Sequence, residues 1–566
     1  MKSHRIATER IATVLVALLG VLALGVVAQE ESPAGSFGES IDVTAVELMI
    51  DIRDRKGDVP AGLTADDFEV LEDGRPVRII GLDYPEGWRL DPVEVNSEVK
   101  TISVTKTQSY AVPEPEVEAP AAKRPWRTLI YIEGALVSTG SLQRNVKTLR
   151  QRIPELVREG PVEIVLANPM PAVLMPFTTD PTRLEKALDT LAKRVQPTNE
   201  VAQIRQNFIR ERDRRFSLKN TVASDVTTQH IRDTAQRENF VLLRQMGIFT
   251  NWMRVYGYDP GAVVLVTDGF DLDPADFYLE AATNTDAGLT GELMRYQLDD
   301  EVEYMSESLA ARGWTSYIMA TGSLRAPDAA DASLAGRERF RSIGDGDTNP
   351  AAGTVNGLVT HPLEPLLITA DETGGEVLTN PKKALAALDR LGQKLRLTYL
   401  AERAADGQQH NVEVRLKERN KKLKLRWPRL ITSATGEQVA EARARRLLVT
   451  DTDQGELPVE VALQATGAKT DKSQPTEIAI TFDLNQLREV LDAAPRPIRF
   501  TIGVEIAGSP PFVHQVIQEV NIPGRESTFP KFLYKTVLGM PPQAGRVSVV
   551  VEEPGTGMWG GVVSGS

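Results

Sequence analysis

Short apolar stretches alternate with amphipathic stretches through the middle of the chain. The apolar stretches are rich in β-branched residues and predict strands at 128–132, 162–167, 262–266, 315–319, 375–378 and 395–402. The amphipathic stretches predict helices at 142–159, 181–195, in pieces over 200–256, at 296–312 and at 381–394. Strands that alternate with helices form a parallel sheet covered by helices. The pattern therefore predicts a doubly wound α/β domain, which we place at 125–432 with an insertion near 199–238.

The segment before this domain has the alternation of β-strands. Apolar and polar residues alternate through 41–84, and turn sequences at 55–58 and 72–75 separate the runs. The second turn contains Asp73-Gly74, which is typical of a β-hairpin. We predict a small N-terminal β module at 40–85. Residues 86–124 lose the periodicity and become rich in proline and glutamate, as in an extended linker.

Strand-like alternation returns in the last part of the chain. Proline and glycine turns separate apolar runs near 457–465, 476–484, 498–507, 513–521 and 546–553. Short strands at regular spacing are typical of a β-sandwich. We therefore predict an immunoglobulin-like β-sandwich at 445–566, which makes the chain a multidomain α/β plus β protein.

The N-terminus has the pattern of a secretory signal. Lys2, Arg5 and Arg10 precede an uncharged, mostly apolar run over 11–28, and Val26 and Ala28 suit the small-residue positions before a cleavage point. We predict a signal peptide at 1–28 and export to the periplasm or beyond the cell. The run is also just long enough to span a bilayer, so an uncleaved anchor is the alternative. We expect no membrane span after signal cleavage.

The composition of the 566-residue chain argues against nucleic-acid binding and excludes every site that depends on cysteine. The formal net charge is −13, which gives no electrostatic reason to bind nucleic acid. The sequence has no cysteine, so disulfides, thiol nucleophiles and thiolate metal sites are excluded. A metal ion would have to be held by oxygen or imidazole ligands.

Thr267-Asp268-Gly269 follows the predicted strand 262–266 and carries the strongest candidate chemistry. An open α/β sheet keeps its ligand site at the carboxyl ends of its strands. Asp268 stands at such a strand end. It is therefore the first candidate binding residue.

The chain resembles the bacterial von Willebrand factor A-related (VWFA-related) proteins, a family of secreted or periplasmic proteins found notably in acidobacteria-like organisms. The resemblance lies in six segments that occur in family order between 40 and 432. These segments are 51–57 (DIRDRKG), 62–74 (GLTADDFEVLEDG), 127–130 (RTLI), 176–180 (PFTTD), 264–269 (VLVTDG) and 370–375 (ADETGG). The resemblance implies a von Willebrand A-like (Rossmann-like) fold for the central domain.

The resemblance also implies a cation site at the top of the sheet. Von Willebrand A domains typically hold one divalent cation with an Asp-x-Ser-x-Ser loop after the first strand, a threonine, and an aspartate at the position of Asp268. Oxygen ligands in this arrangement suit Mg²⁺ and leave a position for a partner's carboxylate. In this chain Glu133 replaces the first aspartate, and Ala135 and Val137 stand at the two serine positions.

These replacements predict a degenerate metal site. Both hydroxyl ligands are missing, and the side chain of Glu133 is one methylene longer than that of aspartate. Thr198 matches the family's threonine, whereas Ser138, Thr139 and Ser141 lie too late in the loop to substitute without a shift. A retained site would use Asp268, Glu133 and Thr198 with Mg²⁺. We favour a lost site and expect no cofactor.

Charged residues near this site have two interpretations. Asp268, Asp271, Asp273 and Asp276 suit a calcium site, but more often such residues form turns and helix caps. Five arginines in the insertion are interleaved with Glu211 and Asp213 and predict a solvated helix face, or else a site for an acidic partner. These arginines are Arg205, Arg210, Arg212, Arg214 and Arg215.

Catalytic motifs are absent from the sequence. The five histidines lack ligand spacing, and neither a Gly-x-Ser-x-Gly elbow nor a His-Glu-x-x-His helix occurs. We predict an exported non-catalytic protein–protein binding or scaffold protein, with an unknown protein partner that contacts the insertion near 199–238. A cation-dependent adhesin-type domain that uses Asp268, Glu133 and Thr198 is one alternative. An envelope hydrolase with a non-local active site is the other.

Overall fold

The computed structural model describes residues 44–84, 126–217, 223–258, 261–280, 287–321, 363–417, 422–450, 454–468, 470, 473–490, 494–507, 509–522 and 531–564. The predicted signal peptide and linker lie outside these residues. No helix within the described ranges has both the length and the apolar character needed to cross a membrane.

Strands fall into three regions of the chain. The N-terminal strands are β1 (Thr44–Arg53), β2 (Phe68–Glu72), β3 (Arg75–Pro76) and β4 (Arg78–Asp83). The central strands are β5 (Arg127–Glu133), β6 (Val162–Ala167), β7 (Pro171–Thr178), β8 (Gly261–Val266), β9 (Trp314–Met319), β10 (Glu376–Leu378), β11 (Leu395–Ala401), β12 (Gln409–Leu416), β13 (Lys424–Arg426) and β14 (Leu430–Thr432). The C-terminal strands are β15 (Gln454–Gly455), β16 (Val459–Ala465), β17 (Gln474–Asp483), β18 (Pro495–Ile506), β19 (Ser509–Asn521), β20 (Lys531–Met540), β21 (Ala544–Glu552) and β22 (Trp559–Ser564).

Most helices lie in the central region. They are α1 (Thr139–Arg150), α2 (Ile153–Glu159), α3 (Pro181–Arg194), α4 (Glu200–Ser217), α5 (Ala223–Val255), α6 (Pro274–Glu280), α7 (Ala287–Leu293), α8 (Asp299–Ala310), α9 (Glu364–Glu372) and α10 (Pro381–Leu388). The C-terminal region adds α11 (Gly436–Thr450) and α12 (Asn485–Val490). Short 3-10 turns occur at Ala65–Asp67 and Met294–Tyr296.

The central sheet has six strands in the order β7-β6-β5-β8-β9-β10. Five of them are parallel, and β7 runs antiparallel to β6 at one edge. Counted from β5, this order is 3-2-1-4-5-6, in which the strand order reverses between β5 and β8. The predicted strands at 128–132, 162–167, 262–266, 315–319 and 375–378 all lie in this sheet. The mixed α/β character is therefore confirmed.

Helices cover both faces of this sheet because successive strand residues point to opposite sides. Leu129 and Tyr131 of β5 pack with residues of α4, α5, α8 and α9, whereas Ile130 and Ile132 pack with α1, α2, α3 and α10. The spacing of apolar residues in α5 predicts one buried helical face, and the structure confirms it. The residues of that face are Leu242, Met246, Phe249, Met253 and Tyr256.

The predicted strand at 395–402 belongs to a different sheet, so its assignment to the parallel sheet is wrong. It forms β11, which pairs antiparallel with β1 and with β4. The order of this sheet is β13-β1-β11-β4, and a second sheet has the order β14-β12-β2-β3. Both contribute to one core, in which Ile50, Phe68 and Leu397 are buried. We call these two sheets the first sandwich.

The α/β domain is inserted into the first sandwich. Strands β1–β4 precede the domain in the chain, and β11–β14 follow it. The boundaries predicted from sequence, 40–85 and 125–432, divide strands that pair with each other in space. Strands β1–β4 therefore need β11–β14 to complete their sheets, and β11–β14 need β1–β4.

The C-terminal region forms two further antiparallel sheets. Their orders are β15-β22-β21-β18-β19 and β16-β17-β20. Ile480 and Phe482 of β17 share one core with Phe500 and Ile502 of β18. Helix α11 joins this region to the α/β domain and packs against α5. Its Arg446 is buried, with the guanidinium carbon 5.3 Å from the ring centre of Tyr256.

Candidate functional site

The carboxyl ends of β5 and β8 lie side by side in the centre of the sheet. The two strands are parallel, with Ile132 opposite Val266. Glu133 ends β5, and Asp268 follows β8 by two residues. This is the point at which the strand order reverses, where open α/β sheets place their ligands.

The carboxylate of Asp268 is held by the loop that begins α1. Its Oδ2 accepts a hydrogen bond from the backbone N–H of Ser138 at 2.9 Å, and the hydroxyls of Ser138 and Ser141 also bond to the carboxylate. The two hydroxyl oxygens lie 2.9 Å apart. Burial raises the pKa of Asp268, whereas the serine hydrogen bonds and the charge of Arg144 act in the opposite direction.

Arg144 brings a positive charge to this group. Its Nη2 donates to Ser141 Oγ at 3.0 Å, and Arg144 lies one helical turn after Ser141 in α1, so both side chains are on the same face. We call Asp268, Ser138, Ser141 and Arg144 the Asp268 cluster. A guanidinium within the chain supplies the cationic charge beside the carboxylate.

Glu133 makes its contacts on the other side of the loop. Its Oε1 accepts from the backbone N–H of Ala135 at 3.3 Å, and the side-chain amide of Gln245, in the orientation that satisfies both of its groups, donates to Oε1 at 3.2 Å. Glu133 is only 4% exposed. Burial raises its pKa to about 8, and the charge of Arg244 offsets only part of this shift. Glu133 is therefore mostly protonated at neutral pH.

Thr198 lies beside the same loop, with its hydroxyl on the backbone. Its Oγ1 donates to the carbonyl oxygen of Gly134 at 3.4 Å, and the N–H of Asn199 donates to that carbonyl at 3.1 Å. Gly134 has to be glycine because a Cβ there would lie 2.7 Å from the carbonyl oxygen of Ala167. The structure thus brings Thr198 to the first loop but directs its hydroxyl towards a carbonyl oxygen.

The three predicted ligands do not fit a divalent cation. Asp268 bonds to two serines, Glu133 is a buried acid that pairs with an amide, and the hydroxyl of Thr198 is engaged by the backbone. Among the residues that the structure describes, no group of three or more acidic or imidazole side chains is placed to hold a metal. A cation prefers several ionised oxygens that converge on one point.

Ser138 and Ser141, which were set aside from the sequence as too late in the loop, bond to Asp268, and Arg144 is the residue of this site that sequence reasoning missed. The backbone N–H groups of Leu136 and Val137 both donate to the carbonyl of Glu133, at 3.1 and 3.0 Å. This tight turn shortens the loop and brings Ser138 to Asp268. The sequence feature that could have indicated this arrangement is Ser138, because serine is a preferred N-cap residue. In the structure Ser138 caps α1, and its side chain accepts a hydrogen bond from the N–H of Ser141.

The predicted solvated arginine face is wrong for Arg205. This side chain is fully buried, and its Nε and Nη1 donate to Glu238 at 2.8 Å and to Asp271 at 2.7 Å. The hydroxyl of Tyr278 also donates to Glu238, at 2.5 Å. Asp271 therefore forms an ion pair with Arg205, a residue of the insertion. By contrast, the side chain of Arg214 is 71% exposed and pairs with Glu211.

Comparison of the sequence with protein-family models and with curated proteins gives no match.

Proposed function

We propose that this chain is an exported, non-catalytic protein-binding or scaffold protein built on a von Willebrand A-like domain. The strand order 3-2-1-4-5-6 with an antiparallel edge strand supports this classification, together with the six sequence segments that resemble the family. The two antiparallel sheets of the C-terminal region support an immunoglobulin-like sandwich. The Asp268 cluster supports a degenerate metal-ion-dependent adhesion site.

The role of the Asp268 cluster in this proposal is structural. In the related domains a cation receives the partner's carboxylate, whereas here Arg144 places a fixed positive charge beside the serines. Such a cluster orders the loop between β5 and α1 without a metal. A partner must then be recognised by a surface that needs no cation.

One observation carries the protein-binding proposal. Three neighbouring helices of one layer each expose a large apolar side chain: Phe240 of α5 is 63% exposed, Tyr304 of α8 is 55% and Leu367 of α9 is 56%. Helix α8 packs against both α5 and α9. Single exposed apolar residues are ordinary, whereas a contiguous exposed apolar patch is typical of an interaction surface, and we infer that these three residues belong to one patch. We call these residues the helical-layer surface.

This surface lies next to the insertion. Phe240 follows Glu238 in α5, and Glu238 is bound to Arg205 of α4 inside the domain. The buried ion pair fixes the orientation of α4 and α5 relative to each other. Phe240 therefore lies on a helix that is tied to the insertion by a buried ion pair.

Affinity capture from the envelope fraction of the source organism tests the proposal. The tagged mature chain is compared with a variant that carries Phe240→Ser, Tyr304→Ser and Leu367→Ser. A matched control carries Phe512→Ser, Leu533→Ser and Val537→Ser, which change equally exposed residues of the C-terminal region. We expect the helical-layer variant to lose a specific partner that the wild type and the control retain.

The same experiment separates the proposal from the adhesin alternative. Capture is repeated with a chelator and then with added Mg²⁺. Capture that continues in the chelator supports a metal-independent surface. Capture that the chelator abolishes and Mg²⁺ restores would overturn it, as would equal losses in the two triple variants.

A further inference from the structure

A cavity lies between the first sandwich and the α/β domain. Its walls come from β1, the turn after β1 and β13 on one side, and from β9, β10 and α10 on the other. The cavity volume is about 200 Å³. Sites for drug-sized ligands measure about 300–1,000 Å³, so this cavity suits a smaller molecule.

Cationic side chains dominate its lining. Three carboxylates, from Asp51, Asp54 and Glu376, face six basic side chains, which leaves an excess of three positive charges. The whole chain has a net charge of −13, so this concentration of positive charge is local. The basic side chains are Arg53, Arg55, Lys56, Arg390, Lys424 and Arg426.

The three carboxylates are already engaged. Asp51 pairs with Arg53 at 2.5 Å, and Glu376 pairs with Arg426 at 3.0 Å. Asp54 accepts from the backbone N–H groups of Lys56 and Asp58 at 2.8 and 3.0 Å. These pairs neutralise two of the arginines.

Four basic side chains of the lining are not held in an ion pair, although the charge of Lys56 helps to lower the pKa of Asp54. Among the described residues, no carboxylate lies within ion-pair distance of Arg55, Lys56, Arg390 or Lys424. Arg390 is held across the cavity by its Nη1, which donates to the carbonyl of Gly57 at 2.9 Å. Gly57 has φ +91°, and a Cβ there would lie 2.7 Å from that Nη1. Glycine therefore permits the approach of the guanidinium.

Arg53 also lines the cavity. The residue is 8% exposed, and its Nε and Nη2 donate to Asp51 and to the carbonyl of Gln393. Its Nη1 is buried and has no hydrogen-bond partner within the part of the chain that the structure describes. This atom is closed off from solvent, so the contacts of a bound group come from the other basic side chains of the lining.

We propose that this cavity binds an oxyanion group, phosphate or carboxylate, of a small molecule. Guanidinium groups match the paired oxygens of both groups, and lysine adds a point charge. The bound group lies among the charges of Arg55, Lys56, Arg390 and Lys424. Since the cavity walls belong to both the first sandwich and the α/β domain, a bound ligand contacts both and stabilises their packing against each other.

Isothermal titration calorimetry of the mature chain tests this proposal, with inorganic phosphate and malonate as separate ligands at constant ionic strength. We expect saturable binding of at least one of them, and the stronger binder identifies the chemical group. Arg390→Gln and Lys424→Gln are each expected to weaken binding about tenfold, as the loss of one hydrogen bond to a charged group would do. Lys424 is exposed and Arg390 is half-buried, so far-UV circular dichroism checks that both variants fold as the wild type does.

The controls are Arg183→Gln and Lys193→Gln, which remove exposed charges of α3 far from the cavity lining. Both are expected to bind as the wild type does. The proposal is overturned when neither ligand gives a saturable heat. It is also overturned when the controls weaken binding as much as the cavity variants do.

Discussion

The carboxylate of Asp268 accepts a hydrogen bond from the backbone N–H of Ser138, a residue 130 positions earlier in the chain, at 2.9 Å. This bond joins the loop after β8 to the loop after β5 at the centre of the sheet. The N–H of Asp268 donates in return to the carbonyl of Leu136 at 3.2 Å. The two loops are therefore fixed to each other by the protein alone.

The first prediction concerns divalent cations. Because the Asp268 cluster contains its own cation, we expect the melting temperature of the mature chain to be the same with Mg²⁺, with Mn²⁺ and with a chelator. Differential scanning fluorimetry measures it. A rise with Mg²⁺ that disappears in Asp268→Ala would contradict the prediction, and a rise that persists in this variant would place a metal elsewhere.

The second prediction concerns Arg144. Arg144→Met removes a donor to Ser141 and the charge that lowers the pKa of Asp268, so we expect the free energy of unfolding to fall by about 1 kcal/mol at pH 7. The higher carboxyl pKa in the folded state makes this loss greater at pH 7 than at pH 4. Urea unfolding at the two pH values measures the difference. Lys147→Met, on an exposed position of the same helix, is the control and should have little effect.

The third prediction concerns the buried acid at position 133. The folded-state pKa of Glu133 is raised from 4.5 to about 8, so ionisation opposes folding progressively as the pH rises from 4.5 to 8. Glu133→Gln keeps the shape and removes the charge. We expect it to stabilise the protein by about 3 kcal/mol at pH 7 and hardly at all at pH 4. A gain that is equal at both pH values would show that ionisation is not its cause.

The fourth prediction concerns the buried ion pairs of the insertion. Arg205→Ala leaves Glu238 and Asp271 buried without their cation. Such a loss costs about 3–5 kcal/mol, and we expect thermal unfolding to begin at a correspondingly lower temperature. Arg214→Ala is the control, since an exposed ion pair contributes at most about 1 kcal/mol. Similar effects of the two variants would argue against a structural role for Arg205.

The strands of the central sheet were predictable because most of them are buried on both faces and have continuous apolar sequences. The misplaced β11 shows the limit of this signal. Its buried and half-buried residues alternate, which is characteristic of an antiparallel strand, but its partners lie near residues 45 and 80. The missed edge strand β7 begins with Pro171 and contains Pro176, and proline in a strand usually argues against one.

The candidate site was predictable in position but not in its contacts. Asp268 could be recognised from the strand that precedes it. The turn at Glu133 that brings Ser138 to Asp268 depends on two backbone hydrogen bonds that no residue type announces. The burial of Arg205 depends on partners 33 and 66 positions away. The charge of Arg205 therefore led to the wrong prediction that its side chain lies on a solvent-exposed helix face.

The insertion of the α/β domain into the first sandwich has a consequence for the order in which the chain folds. The hydroxyl of Thr44 donates to the carbonyl of Arg403, 359 positions later, so β1 cannot find its neighbour until almost three quarters of the protein has been synthesised. Contacts this distant in sequence form slowly, and an unpaired strand is prone to aggregate. If the central domain folds first, its two ends come together, since Trp126 packs against the core that contains Leu391. Strand β1 thus remains unpaired until one of the later strands has been made.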